Sequence, residues 1–167
     1  GLDENESPPR LGVSFPPFGQ GSTEALEGVE REGYKVPGLG DPNVPESFSV
    51  WGIDVTDPEA AHVVSRIKTG FLVGEEVEGF PTVGGSSPNS LVSTNDRVFV
   101  SNGNNDAVSV IDIRRDTVVA DIFLHLDERL GNLRGQIPFG LALSPDGTRL
   151  YVAEAGINAV AVIDTES

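Results

Sequence analysis

The stretch Ile137–Ser167, IPFGLALSPDGTRLYVAEAGINAVAVIDTES, decides how the rest of the chain is read. It divides into three short apolar runs, GLALS, RLYVAE and AVAVID. Pro145-Asp146-Gly147 separates the first two, and a tight turn around Gly156–Asn158 separates the last two. Proline presets φ, aspartate bonds the backbone beside it and glycine takes a positive φ, so this reads as three antiparallel strands in a meander. The meander also recurs. RVFVSNGNNDAVSVIDI (Arg97–Ile113) aligns without a gap on RLYVAEAGINAVAVIDT (Arg149–Thr165), 52 residues upstream.

From Ser47 onward the whole chain follows the same habit. Ser47–Val55, His62–Gly70, Ser90–Thr94, Arg97–Asn102, Ala107–Ile113 and Thr117–Leu126 are short runs rich in β-branched residues, several alternating with period two, as at Val108/Val110 and Val160/Val162. No amphipathic helix of ordinary length interrupts them, so the region is all-β. Superposed, the copies give a four-strand unit: PNSLVS or PFGLALS, then RVFVSN or RLYVAE, then SVWGIDV, AVSVIDI or AVAVIDT, then HVVSRIKTG or TVVADIFLHL. The period of 52–58 residues falls where the blades of a β-propeller with loop insertions sit. A β-sandwich of similar hairpins is the alternative, but it gives no reason for an ungapped 17-residue repeat. The expected fold is therefore a β-propeller of four-stranded antiparallel blades. About two and a half blades are present as a partial ring, with pieces at 48–70, 88–126 and 137–167. Blades bury their faces only against neighbouring blades. The chain is thus expected to be a piece of a larger polypeptide, or to be completed by blades of other chains, and to aggregate when alone.

Residues 1–47 differ in character. Seven prolines and eight glycines, with Asp3, Glu4, Glu6, Glu24, Glu27, Glu30 and Glu32, make an acidic Pro/Gly-rich segment. We read it as an extended insertion packed over the β-structure, with a short helix at Ser22–Glu32 and a strand at Arg10–Phe15. The formal charge of −15 and pI near 4.3 exclude nucleic acid and anionic membrane surfaces as natural partners and are compatible with cation binding. Without cysteine there is no disulfide, thiolate metal site or cysteine nucleophile. No apolar run approaches the ~20 residues of a membrane helix, and GLDENESPP carries no leader pattern. A signal peptide has either been removed or never lay in this stretch.

SPDGTRLYVAEAGINAVAVIDT resembles the YVTN-type propeller repeat, a Ser-Pro-Asp-Gly turn, a Tyr-Val strand, a small turn and a strand ending Val-Ile-Asp. VFVSNGNNDAVSVIDI carries the same pattern with Phe99 where Tyr151 stands, and VVSRIKTG and VVADIFL resemble its closing strand. The resemblance covers roughly residues 47–167. GLDENESPPRLGVSFP, KTGFLVGE, VGGSSPNSLV and LRGQIPFGLALSPDG further resemble the propeller half of secreted bacterial proteins that join a propeller to an alkaline-phosphatase-like phosphoesterase. That resemblance implies a periplasmic or extracellular location and a fused phosphoesterase domain, downstream of Ser167, that carries its own metal ligands and nucleophile. The role expected for this chain is a non-catalytic scaffold or binding module.

In such a unit the loops Asn102–Asp106, Glu154–Asn158, Phe71–Asn89 and His125–Gln136 lie on one face, and the last two are longer than a turn needs. HLDERLGNLRG offers His125, Asp127, Glu128, Arg129 and Arg134, which in combination could ligate a metal or exchange protons. The simpler reading is a helical turn with solvated charges. Asn104 and Asp106 in NGNND carry side-chain oxygens suited to calcium or another divalent cation but lack calcium-loop spacing, and a hairpin turn accounts for them. The acidic cluster Glu75, Glu76 and Glu78 reads as solvated, His62 as a half-exposed outer-strand residue, and Trp51 as packed between blades or beneath the insertion. Gly84-Gly85-Ser86-Ser87 lacks the lysine of a phosphate loop, and Ser86, Ser87 and Ser90 lack a nucleophile elbow. A lactonase-like or quinoprotein-like centre would need acidic or histidine residues where Ser90 and Gly140-Leu141 stand. No catalytic residue, cofactor or metal site is thereby assigned.

Overall fold

The computed structural model describes residues 29–31, 33–36, 43, 47–82, 84–130 and 133–166. Among them the chain is all-β, built of antiparallel sheets of two to four strands, with single 3-10 turns at Pro58–Ala60 and Glu128–Leu130. β1 (Val29–Arg31) pairs with β2 (Tyr34–Val36), and β3 (Ser49–Asp54) with β4 (His62–Lys68). A minor hairpin follows, β5 (Glu76–Val77) with β6 (Phe80–Pro81). The central sheet is a sequential meander of β7 (Pro88–Ser93), β8 (Arg97–Asn102), β9 (Ala107–Asp112) and β10 (Thr117–Phe123). The last sheet repeats it with three strands, β11 (Pro138–Leu143), β12 (Arg149–Glu154) and β13 (Ala159–Asp164).

Turn chemistry explains why the meanders reverse where they do. Ser144 Oγ accepts the Arg149 N–H at 2.9 Å and donates to Asp146, which also accepts the Thr148 N–H at 3.1 Å, and Gly147 takes a φ of +75°. The Ser144 hydroxyl and the Thr148 donors together hold the Asp146 carboxyl down to about 2. The β7–β8 turn is shorter but built alike, Thr94 Oγ1 accepting the Arg97 N–H at 3.1 Å and donating to Asp96 at 2.9 Å. Even the irregularities recur, with ladder shifts at Pro88/Leu91 and Pro138/Leu141.

The sheets stack in three layers. One face of the central sheet presents Phe99, Val108 and Val110 to Leu150 and Val152 of the last sheet; the other presents Val100 and Ile111 to Ile67 of β4. Burial follows position in the stack. β8 beyond its first two residues and β9 up to its last, covered on both sides, are buried without interruption, whereas β12 alternates buried with exposed and β13 half-buried with exposed. Small hydroxyls tie the layers together. Ser101 Oγ donates to the Phe139 carbonyl at 2.7 Å, and Ser109 Oγ accepts from the Gly70 N–H at 3.1 Å and from Asn102 Nδ2 at 2.7 Å. Ser109 in turn donates to Asp121, whose carboxyl burial pushes up.

Two expectations need correction. The helix over Ser22–Glu32 is a strand where it is described: Val29–Arg31 forms β1, because Gly33 at φ +75° reverses the chain and lets Val29 pair with Val36. The remainder of that helix, and the strand at Arg10–Phe15, lie outside the described residues. Trp51 is half exposed, its indole N–H donating to Ser49 Oγ at 2.8 Å and Arg66 lying 5.0 Å from its ring, on the face of the β3–β4 hairpin away from the stack. The Phe71–Asn89 loop, expected to be longer than a turn needs, folds into the β5–β6 hairpin around Gly79 at φ +80°.

Candidate functional site

Three of the loops assigned to one face converge. The segment after β4 brings Phe71, and the β5–β6 hairpin brings Val77, Phe80, Pro81 and Thr82. The β8–β9 turn brings Asn104, Asn105 and Asp106; Phe123 from the end of β10 and Arg134 from the β10–β11 loop complete the wall. Together they enclose a cavity of about 340 Å³.

The turn supplies the polar floor. Asp106 holds φ +48° and its repeat partner Asn158 φ +55°, so both copies use the left-handed residue a tight hairpin requires. The Asp106 carboxylate accepts the Gly135 N–H at 2.6 Å and the Ile137 N–H at 2.9 Å, its two oxygens anchoring the loop that leads into β11. Asn104 Nδ2 donates to the Gly85 carbonyl at 3.0 Å, and Asn105 Oδ1 accepts the Phe71 N–H at 3.0 Å. Burial first, and then the charge of Asp106, push up the carboxyl of Glu154.

Rings supply the walls. Phe71 and Phe123 stack with centroids 5.0 Å apart and planes 7° from parallel, and His125 continues the stack behind Phe123 at 6.1 Å. The Arg134 guanidinium lies 4.9 Å from the Phe80 centroid and 6.0 Å from that of Phe123. Its Nη2 donates to Glu78 Oε2 at 2.8 Å, while Glu78 Oε1 stands 3.3 Å from His125 Nε2. The Arg134 hydrogen bond holds the Glu78 carboxyl below its usual range. Glu78 is exposed, as the reading of its acidic cluster expected, but it is also paired, and it pins the β5–β6 hairpin across the cavity. Arg134 Nη1 and His125 Nδ1 are buried with no hydrogen-bond partner among the described residues.

The candidate side chains thus separate into two groups. Arg134, Asn104 and Asp106 surround the cavity, and His125 backs it. Asp127 and Arg129 turn away, forming a bidentate pair at 2.8 and 2.6 Å on the surface that keeps the Asp127 carboxyl low and the Arg129 guanidinium high. Glu128 opens the 3-10 turn and its side chain lies outside the described residues. Among the described residues no three His, Asp or Glu side chains come together to hold a metal ion, and both oxygens of Asp106 are already taken by backbone donors. Sequence reasoning missed Phe71, Phe80 and Phe123 and read Glu78 as solvated. The signal available was their position: Phe71, Glu78 and Phe80 in one long loop, and Phe123 just before the other.

No family model matches the chain, and no curated protein matches it. Among solved structures, hydrazine synthase of Kuenenia stuttgartiensis is similar with a TM-score of 0.40 and 25% identity, over 48% of this chain and 21% of that one. This chain therefore spans about a fifth of that protein's length. No helix among the described residues is long and apolar enough to cross a membrane.

Proposed function

We propose that this chain is a non-catalytic segment of a YVTN-type β-propeller, a scaffold that presents its elaborated loop face as a binding site. One observation carries the reading. Residues of the central sheet that are buried by the last sheet have exposed counterparts in the last sheet itself: Val108 is 0% exposed and Val160 62%, Val110 5% and Val162 57%, Phe99 2% and Tyr151 38%. The two sheets share a sequence pattern, so the difference comes from neighbours alone. A surface that holds one sheet in the first copy stands uncovered in the second, as it would on a blade awaiting the next blade. The near approach of the first strands, β7 and β11, supports a radial stack. On the opposite outer face Trp51, Ile53 and Val64 are likewise exposed.

Sedimentation velocity and binding of an apolar dye test this. The purified protein should self-associate and bind dye from micromolar concentration upward. Val160→Thr with Val162→Thr should suppress both, while Val119→Thr, at an exposed site on the outer strand β10, should not. A monomer that binds no dye, or a double variant indistinguishable from the parent, overturns the proposal.

A further inference from the structure

The geometry points to an uncharged planar heterocycle of one or two fused rings as the ligand of the cavity beneath the β5–β6 hairpin. The inference rests on the binding-module reading and adds the chemistry of what is bound. Size comes first: about 340 Å³ lies near the lower end of the ~300–1,000 Å³ of small-molecule sites. Flatness follows from the ring stack. His125, Phe123 and Phe71 lie in that order, and the two phenyl rings line the cavity while the imidazole does not. The stack therefore ends on Phe71, which lines the cavity, and a further flat ring laid on it would extend the stack, as aromatic side chains do when they hold bases.

Charge excludes the alternatives. The oxygens of Asp106 are consumed by Gly135 and Ile137, and Arg134 and Glu78 neutralise each other. A cationic ligand would have to displace the guanidinium from Phe80 and Phe123, and an anion would meet a chain of formal charge −15. Besides the buried, unpartnered Arg134 Nη1, what remains is one donor and one acceptor on adjacent residues of the β8–β9 turn. Asn105 spends its oxygen on the Phe71 N–H and keeps its NH₂ group; Asn104 spends its NH₂ group on the Gly85 carbonyl and keeps its oxygen. Paired amide donors and acceptors read the edge of a planar heterocycle. The repeat shows that they are not needed for the turn. Gly156 and Ile157 occupy the same two positions in the other copy, and both turns close with the same backbone bond, Asn105 N–H to the Asn102 carbonyl at 3.1 Å and Ile157 N–H to the Glu154 carbonyl at 3.3 Å.

Equilibrium dialysis, which reads bound ligand whether or not the protein self-associates, tests the inference with adenine, uracil and lumichrome against benzoate, glucose and choline. At least one heterocycle should bind saturably, and the three controls should neither bind nor compete. Asn105→Asp keeps the acceptor for the Phe71 N–H but removes the donor, and it should weaken binding about tenfold with an unchanged Tm. In the unsubstituted protein the amide resonances of Phe71, Asn104 and Asn105 should shift on titration, a readout that needs no variant. Failure of every heterocycle, competition by benzoate, glucose or choline, or an Asn105→Asp protein that binds as tightly as its parent overturns the ligand class. Self-association of the outer sheet faces decides the propeller reading separately.

Discussion

Phe99 and Tyr151 occupy the same position of the two repeats, and replacing each with alanine should separate what the shared sequence dictates from what the neighbours add. Phe99 is 2% exposed and packs with Val108, Val110, Leu150 and Val152 between two sheets. Removing a ring from such a site costs ~3–5 kcal/mol, the lost transfer energy plus the cavity left behind. Tyr151 is 38% exposed on the uncovered face, and its removal should cost no more than ~1 kcal/mol. Against a typical stability of ~5–15 kcal/mol the first loss is severe, and at ~2–4 °C per kcal/mol for a chain of this size it corresponds to ~6–20 °C in Tm. Urea titration at constant m-value, at protein concentrations below those of self-association, gives both numbers from midpoints. If a further blade is supplied and docks on this face, the cost of Tyr151→Ala should rise towards that of Phe99→Ala. Losses within ~1 kcal/mol of each other in the isolated protein would refute the reasoning, because they would mean that the Tyr151 face is already covered, or that the Phe99 face is not packed.

Other expectations are as direct. A Cβ on Gly156 would lie 1.8 Å from the Gly135 carbonyl oxygen, a backbone atom with little room to move, so Gly156→Ala should lower Tm by several degrees and speed hydrogen exchange at Gly135 and Ile137. Glu78→Gln breaks the contact with Arg134 at a half-exposed site; stability should change by less than ~1 kcal/mol, while exchange at Gly74 and Thr82, whose backbone bonds close the β5–β6 hairpin, should accelerate. Asp121 has a raised carboxyl, so the folded chain holds that proton more tightly than the unfolded chain, and the associated stability is present below 3.8 and lost as pH climbs through the raised value. Asp121→Asn keeps an oxygen for the Ser109 hydroxyl and removes the charge, so Tm near neutrality should hold or rise and its decline with pH above 3.8 should flatten. A marked loss of Tm near neutrality would show that the carboxylate itself is required.

The strands, their turns and their repeat were legible because each rests on local chemistry. Gly147 takes the positive φ expected of it, in a turn whose side chains bond within a few residues of themselves, and Asp106 and Asn158 take theirs. Period-two alternation then assigns each strand two faces. It does not say whether both are buried: AVSVID and AVAVID are nearly the same sequence, yet the first is buried throughout and the second on one side only. That property belongs to the neighbours, and it also misled the reading of Trp51, whose size suggested a covered position. The β5–β6 hairpin left no trace of alternation because each of its strands is two residues long, and its hold on the body comes from residues far along the chain, His125 and Arg134 on Glu78 and Arg134 over Phe80.

The candidate site follows the opposite rule, since it is built where the copies differ. The shared residues of the turn, the left-handed Asp106 or Asn158, recur because any such hairpin needs them. Asn104 and Asn105 do not recur, since Gly156 and Ile157 stand in their places. A packing role predicts that such residues track the fold and appear in every copy with the same neighbours. Their restriction to one junction, together with amides that each retain one unused polar group, is what the proposed ligand site calls for and what the sheet beneath it does not need. The hydrophobic repeat carries the architecture; departures from it mark where to look for chemistry, and here they gather around one cavity.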